Sequence, residues 1–147
     1  MKASSEELIG RLPHQPPMRM VSEVIEASRD RARCRIRIDD TFCELWGDGE
    51  SAELFSGIEM VAQTAAIAIG CEDDPGVAQS GMLVQTRRFE RFRETVPKGV
   101  DLICEAKVDL GLEGSFALAR GVVELDGTVV CEAQISLAIA TGSEKGS

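Results

Sequence analysis

Tyrosine is absent from this chain of 147 residues, and tryptophan and histidine occur once each. Only five phenylalanines complete the aromatic set, so a core must be built from Val, Ile, Leu, Ala and Met. A structural zinc site needs four closely spaced His or Cys ligands. With one histidine and no C-x-x-C pair among Cys34, Cys43, Cys71, Cys104 and Cys131, no metal is expected. A cysteine nucleophile would likewise need a histidine beside it. The odd cysteine count and lack of an export signal point instead to reduced thiols packed as small hydrophobes. The opening MKASSEELIG has no apolar stretch of signal length, and no run approaches a membrane span. The expected compartment is the cytoplasm, with no membrane as partner. Nor is the charge basic: 25 acids face 16 Lys and Arg, for a net −9. Nucleic acid is therefore not expected, because a polyphosphate needs a cationic face.

What is present fits one domain spanning 1–147, with an ordered core over about 12–140 and a frayed tail over 141–147. Ser4 and Ser5 ahead of Glu6 and Glu7 signal a short leading helix. Pro13, Pro16 and Pro17 then hold LPHQPPM extended. Residues 31–39, RARCRIRID, alternate polar and apolar, the pattern of a half-buried strand. Residues 18–27 read as its hairpin partner through a turn near Ser28–Asp30. Residues 40–54 and Glu72–Gly76 read as loops. Four more strands are expected over 81–92, 100–109, 115–125 and 128–140. One face of the second of these carries Val100, Leu102, Cys104, Ala106 and Val108. One face of the last carries Val129, Cys131, Ala133, Ile135, Leu137 and Ile139. Asp126-Gly127 between the last two strands is a two-residue hairpin signal, since both positions tolerate positive φ.

Residues 56–70, SGIEMVAQTAAIAIG, stand apart. A helix on the outside of a sheet has an apolar stripe and a polar face; past its start this one has only Glu59, Gln63 and Thr64 as polar side chains. A helix apolar nearly all round must be covered nearly all round. The fold class that satisfies this is α+β: a strongly curved antiparallel sheet of six strands wrapped about one long helix. Glu59 is the expensive residue, because a buried carboxylate must be paired, protonated or aimed at a cavity. Ser56-x-x-Glu59 is also a capping box, in which Glu59 reaches back to the Ser56 N–H. From these residues alone, cap and functional acid both stand. His14 is the one side chain whose ordinary titration range lies near neutral pH. A lone histidine is equally consistent with a satisfied structural residue.

LPHQPPMRMVSEVIEA and GIEMVAQTAAIA resemble signature segments of the hot-dog-fold β-hydroxyacyl-ACP dehydratases, and GMLVQTRRFERFRETVPKGVDLICEAKV resembles that family's third and fourth strands. The similarity runs from about Leu12 to Ala140. It is greatest to the small dehydratase-like proteins encoded with aryl-polyene or related polyketide-type pathways. The resemblance implies a 3-hydroxyacyl-ACP dehydratase working without metal or redox cofactor. His14 would remove the C2 proton and Glu59 would protonate the departing hydroxyl, the two meeting across a dimer interface. Amides of Gly57 and Ile58 at the helix start would polarise the thioester carbonyl, Gly57 letting the ligand come close. Where the common family has His-Phe-Pro-Gly and a Pro-Gly pair, this chain reads DDTFCELWGDGESAELFSG. Phe42, Trp46 and Phe55 are the expected pocket lining in their place, with Gln63, although aromatics at a helix start also serve as plain core. Arg87, Arg88, Arg91, Arg93 and Lys98 form a basic exception that reads either as a solvated strand face or as a docking patch for acyl carrier protein and its phosphopantetheine. The expected assembly is a homodimer or hot-dog heterodimer, alone or within a higher assembly. A hot-dog thioesterase and a catalytically weak partner subunit are the rival readings.

Overall fold

The alternating segments form strands, and every strand pairing is antiparallel. The computed structural model of the chain describes residues 3–12, 14, 16–71, 79–111 and 115–141. Helix α1 (Ser5–Gly10) leads, capped by Ser4, whose hydroxyl accepts the Glu7 N–H at 3.1 Å. Strands β1 (Glu23–Ser28) and β2 (Arg31–Arg37) follow, then helix α2 (Asp40–Trp46) and strand β3 (Ser51–Glu53). A 3-10 turn (Leu54–Ser56) runs straight into helix α3 (Gly57–Ile69). The chain continues with β4 (Gln79–Arg91), β5 (Thr95–Pro97), β6 (Asp101–Leu110), β7 (Phe116–Leu125) and β8 (Thr128–Thr141). The main sheet has six strands in the order β1-β2-β6-β7-β8-β4, and β3 pairs with β5 in a small second sheet.

Period-two alternation aims one face of the large sheet at α3. Ala32, Cys34 and Ile36 of β2, Leu102, Cys104 and Ala106 of β6, and Cys131, Ala133, Ile135 and Leu137 of β8 are buried there. From Met60 to Gly70 every residue of the helix segment is buried, and α3 packs on all six strands. That is the expected sheet wrapped around a helix. At the far end of α3, Arg11 Nη1 donates to the Gly70 carbonyl at 2.7 Å, giving an orphan helix-end acceptor a cationic partner. No helix among the described residues is long and apolar enough to cross a membrane.

Several boundaries differ from the sequence reading. Residues 40–54 are not a loop. Asp39 caps α2 by accepting the Phe42 N–H at 2.9 Å, and Phe42 and Cys43 turn inward. Residues 18–22 precede β1 instead of belonging to it. The Met20 N–H goes to a side chain of α3, described below, and not to a neighbouring strand. On β8 a register shift opposite Val123/Glu124 turns Val130 into the core beside Cys131, so alternation does not extend to Val129. Asp126 and Gly127 hold φ of 51° and 83°, the conformation their turn was expected to need. The expectations for Glu72–Gly76, for Pro13 and Gln15, and for the tail from residue 142 lie outside the described residues.

The closest approach of helix to sheet runs through small residues. Ala117, Ala119 and Gly121 line the inner face of β7. A Cβ placed on Gly121 would lie 2.6 Å from both γ-methyls of Val61, closer than real packing allows. Val61 is β-branched and cannot easily rotate away. Gly121→Ala is therefore expected to lower unfolding stability by about 1–3 kcal/mol in denaturant titration, an overpacking cost. Adding Val61→Ala should return most of it, and a Gly121→Ala protein of unchanged stability would contradict this packing.

Candidate active site

Glu59 sits in the first turn of α3, and Pro16 and Pro17 hold the segment carrying His14 off the helical path. The fold brings the two together: His14 Nε2 lies 2.8 Å from Glu59 Oε1, with the side chains 27% and 23% exposed. The pair is thus neither sealed in the core nor freely solvated, and a ligand can reach it. His14 Nδ1 is buried without a hydrogen-bond partner, so Glu59 is the ring's polar contact. The histidine backbone is held as well, its carbonyl accepting from Arg19 Nε at 3.3 Å.

Gln63, one turn beyond Glu59, joins the two segments. Its Oε1 accepts the Met20 N–H at 2.8 Å. Its Nε2 donates to the Met18 carbonyl at 3.0 Å and to Glu59 Oε1 at 3.2 Å. The amide is fully buried. It was expected to line a pocket; it is a clamp that ties the chain just after His14 to the helix bearing Glu59. Sequence reasoning missed this role and that of Arg19. The (i, i+4) spacing of Glu59 and Gln63 was the available signal.

The capping box does not form. Ser56 adopts an αR conformation, makes no side-chain cap bond, and donates its hydroxyl to the Glu53 carbonyl at 2.7 Å. The roughly 1 kcal/mol ordinarily lost on replacing a serine cap has no bond here to depend on. Glu59 is turned to His14 and Gln63. Within the single chain described, His14 and Glu59 are already in contact. Gly57 is not a free amide beside an open approach: its N–H donates to the Leu54 carbonyl as the 3-10 turn enters α3. Its missing side chain makes room for the protein itself, since a Cβ there would run into Cys131 Sγ. Ile58 follows it, half-buried.

The other expected site residues are dispersed. Phe42 belongs to the core, with the Trp46 ring 6.4 Å from it on the same short helix. Phe55 is exposed at the start of α3, 5.8 Å from the Phe89 ring and 6.0 Å from the Arg91 guanidinium carbon. Each of the five cations has a partner within the chain. Arg87 donates to Ser136 Oγ at 2.7 Å and Arg88 lies 3.5 Å from Glu90, on the outer face of the sheet. Arg91 lies 3.7 Å from Glu53, Arg93 donates to the Thr95 carbonyl at 2.8 Å, and Lys98 is 2.9 Å from Asp40 and 3.6 Å from Glu50. The register shift between Thr86 and Arg88 brings the adjacent Arg87 and Arg88 to the same face of β4.

The thiols are chemically quiet. Burial pushes Cys34 and Cys131 up to about 12 and raises Cys104 too, while the Thr64 hydroxyl beside Cys34 and Cys104 offsets a little of this. A thiol so raised stays protonated at pH 8. Iodoacetamide is then expected to modify only half-buried Cys71 in the native protein, and all five cysteines after denaturation; rapid native labelling of Cys131 seen by mass spectrometry would refute this. Gln63→Ala should cost about 1–3 kcal/mol of stability, because it strands a buried N–H and C=O. A loss below about 0.5 kcal/mol in urea unfolding, less than a typical net hydrogen bond, would mean that the clamp holds nothing.

Known proteins were compared with this chain and this fold. The family described as ApeP-like, ApeP dehydratase, matches residues 7–144. A protein of Solibacter usitatus described as 3-hydroxyacyl-[acyl-carrier-protein] dehydratase FabZ is 28% identical over 137 residues, covering 91% of this chain and 83% of its own. A protein of the same description from Oceanobacillus iheyensis is 27% identical, over 87% of this chain and 92% of its own. Among solved structures, the dehydratase heterocomplex ApeI:P from Xenorhabdus doucetiae superposes with a TM-score of 0.77 at 23% identity, covering 93% of each chain. Zebra fish thioesterase superfamily member 2 gives 0.68 at 14% identity, over 91% of this chain and 94% of its own. At those identities the solved structures establish the fold, which is the hot-dog. With the sheet, the buried helix and a family match over nearly its whole length, the chain belongs to the ApeP-like dehydratases.

Proposed function

We propose that this dehydratase removes water from a 3-hydroxyacyl thioester carried on acyl carrier protein, giving the trans-2-enoyl thioester in a cytoplasmic fatty-acid or polyketide-type pathway. The observation that carries the reading is the 2.8 Å approach of His14 Nε2 to Glu59 Oε1. Elimination of water from such a substrate needs a base at C2, an acid at the C3 hydroxyl and a polarised carbonyl. Neutral His14 takes the C2 proton on Nε2; the C2–H electrons form the C2=C3 double bond as the C3–O bond breaks. Protonated Glu59 gives its proton to the departing oxygen, which leaves as water. The site then holds imidazolium and carboxylate, and one proton returning across the short contact restores it without solvent. The backbone N–H groups where the 3-10 turn enters α3 already donate to the Leu54 and Phe55 carbonyls, so polarising the thioester carbonyl there requires one of these bonds to open when substrate binds. For the carrier protein, Arg91, beside Phe55 and Glu53 at the head of the same helix, is the candidate cation.

Assembly is part of the proposal. β4 is an edge strand of 13 residues, bonded within the sheet to β8 only. A long open edge invites a partner strand, and the likeness to a dehydratase heterocomplex supports a second hot-dog subunit there, of the same or another kind. If the purified chain is inert and a co-expressed hot-dog partner restores turnover, the heterodimer is the working form.

His14→Ala and Glu59→Gln should each slow dehydration about 10²–10⁴-fold, the usual contribution of a positioned acid or base. Coexpressing the two variants separates a site within one chain from a shared one. Mixed dimers regain turnover only if histidine and glutamate come from different subunits; the cis contact calls for no recovery. Enoyl product without release of free thiol distinguishes dehydration from thioester hydrolysis, and thiol release from saturated acyl thioesters would overturn the reading.

A further inference from the structure

The outer face of the six-stranded sheet is ionic over most of its width. Arg31 on β2 reaches Glu105 of β6 at 2.7 Å, Arg35 reaches Glu23 of β1 at 2.9 Å, and Arg37 reaches Asp101 at 3.2 Å. One corner breaks this pattern. Met82 and Val84 of β4 are 64% and 52% exposed, and Phe116 and Leu118 of β7 are 60% and 48% exposed. They are neighbours. In register, Phe116 faces Ala138 of β8 and Ala138 faces Met82; Leu118 faces Ser136, and Ser136 faces Gln85, with Val84 in the bulge beside it. A trough of about 320 Å³ lies here, with Val84, Gln85, Phe116, Leu118 and small Ser136 in its lining, and Met82 and Ala138 adjoin it in register. Contiguous apolar patches of this kind are rare on soluble monomers and mark contact surfaces.

The rim says what the contact is. Asp109 lies on the β6 side, paired with Leu118, and Arg87 lies on the β4 side, its Nε on Ser136 Oγ at 2.7 Å. One cation and one anion flank the apolar centre, three strands apart, or about 14 Å at ordinary strand spacing. An acidic carrier protein would meet Asp109 unfavourably, and an acyl tail would need neither charge. A second copy satisfies both. Rotation about a two-fold axis running along the strands, over Leu118 and Ser136, brings Arg87 onto the partner's Asp109 and Asp109 onto the partner's Arg87.

We propose that this corner packs face to face against the same corner of a second copy, with Phe116, Leu118, Met82 and Val84 as the dry centre and the two charge pairs at its flanks. Such an isologous contact closes on itself. It uses the face of the sheet and leaves the open edge of β4 and the His14–Glu59 pair untouched, so it stands or falls apart from the proposed reaction.

Sedimentation of the purified full chain at micromolar concentration tests it. Wild type is expected at twice the mass of Leu118→Glu, whose far-UV circular dichroism and melting curve should match wild type. Phe116→Ser serves as a second disrupting variant should Leu118→Glu fail to fold. Arg87→Asp and Asp109→Arg should each weaken the association at least tenfold, and the double reversal should return it to within a few-fold of wild type. Equal masses for wild type and a folded disrupting variant, the outcome if another protein or the chain's own tail fills the trough, overturn the proposal. So does a double reversal that fails to restore what the single reversals remove.

Discussion

A single buried amide holds the two halves of the candidate site together. Gln63 spends its oxygen on the Met20 N–H and its nitrogen on the Met18 carbonyl and Glu59. Buried polar groups left without partners are costly, so this network is all-or-none in character. It explains why Met18 and Met20 stand outside β1: their backbone groups bond to a helix side chain, and bonding to β2 starts only at Ser22, whose N–H donates to the Arg35 carbonyl at 2.9 Å. It also explains how a histidine on a proline-rich segment is brought to hydrogen-bond distance of a helical acid. The loop is positioned by the core.

The same helix can serve as scaffold because the sheet lies so close to it. Gly57 opposite Cys131 and Gly121 opposite Val61 are points where one carbon more would collide. Alanines along α3 and β7 extend that economy of volume between them. Close approach leaves little room for large polar groups, and few are present. Glu59 and Gln63 serve the site, and Thr64 faces the thiols of Cys34 and Cys104.

Much of the fold was legible because alternation and helical periodicity report burial directly. Strands β2, β6 and β7, the turn at Asp126-Gly127 and the all-round burial of α3 followed from such patterns. Helix α2 was not legible: at seven residues it is too short for periodicity to show, and its cap, Asp39, reads as the end of a strand. The Ser56 capping box failed for a conformational reason, since the preceding 3-10 turn puts Ser56 in αR, where its hydroxyl bonds backward to Glu53. Alternation could not place the basic run on β4, because a register shift puts the neighbours Arg87 and Arg88 on the same outer face. The importance of His14 and Glu59 could be argued from residue type and family likeness; their meeting inside one chain could not.

That last feature bears on how the protein responds to its own concentration. A contact between subunits obeys mass action and is lost when dilution separates them. An approach of His14 to Glu59 made within each chain singly would persist at any dilution that leaves the chain folded. A chain so built can change its neighbours through evolution, or share its surface with an unlike one, without rewriting the geometry of the pair.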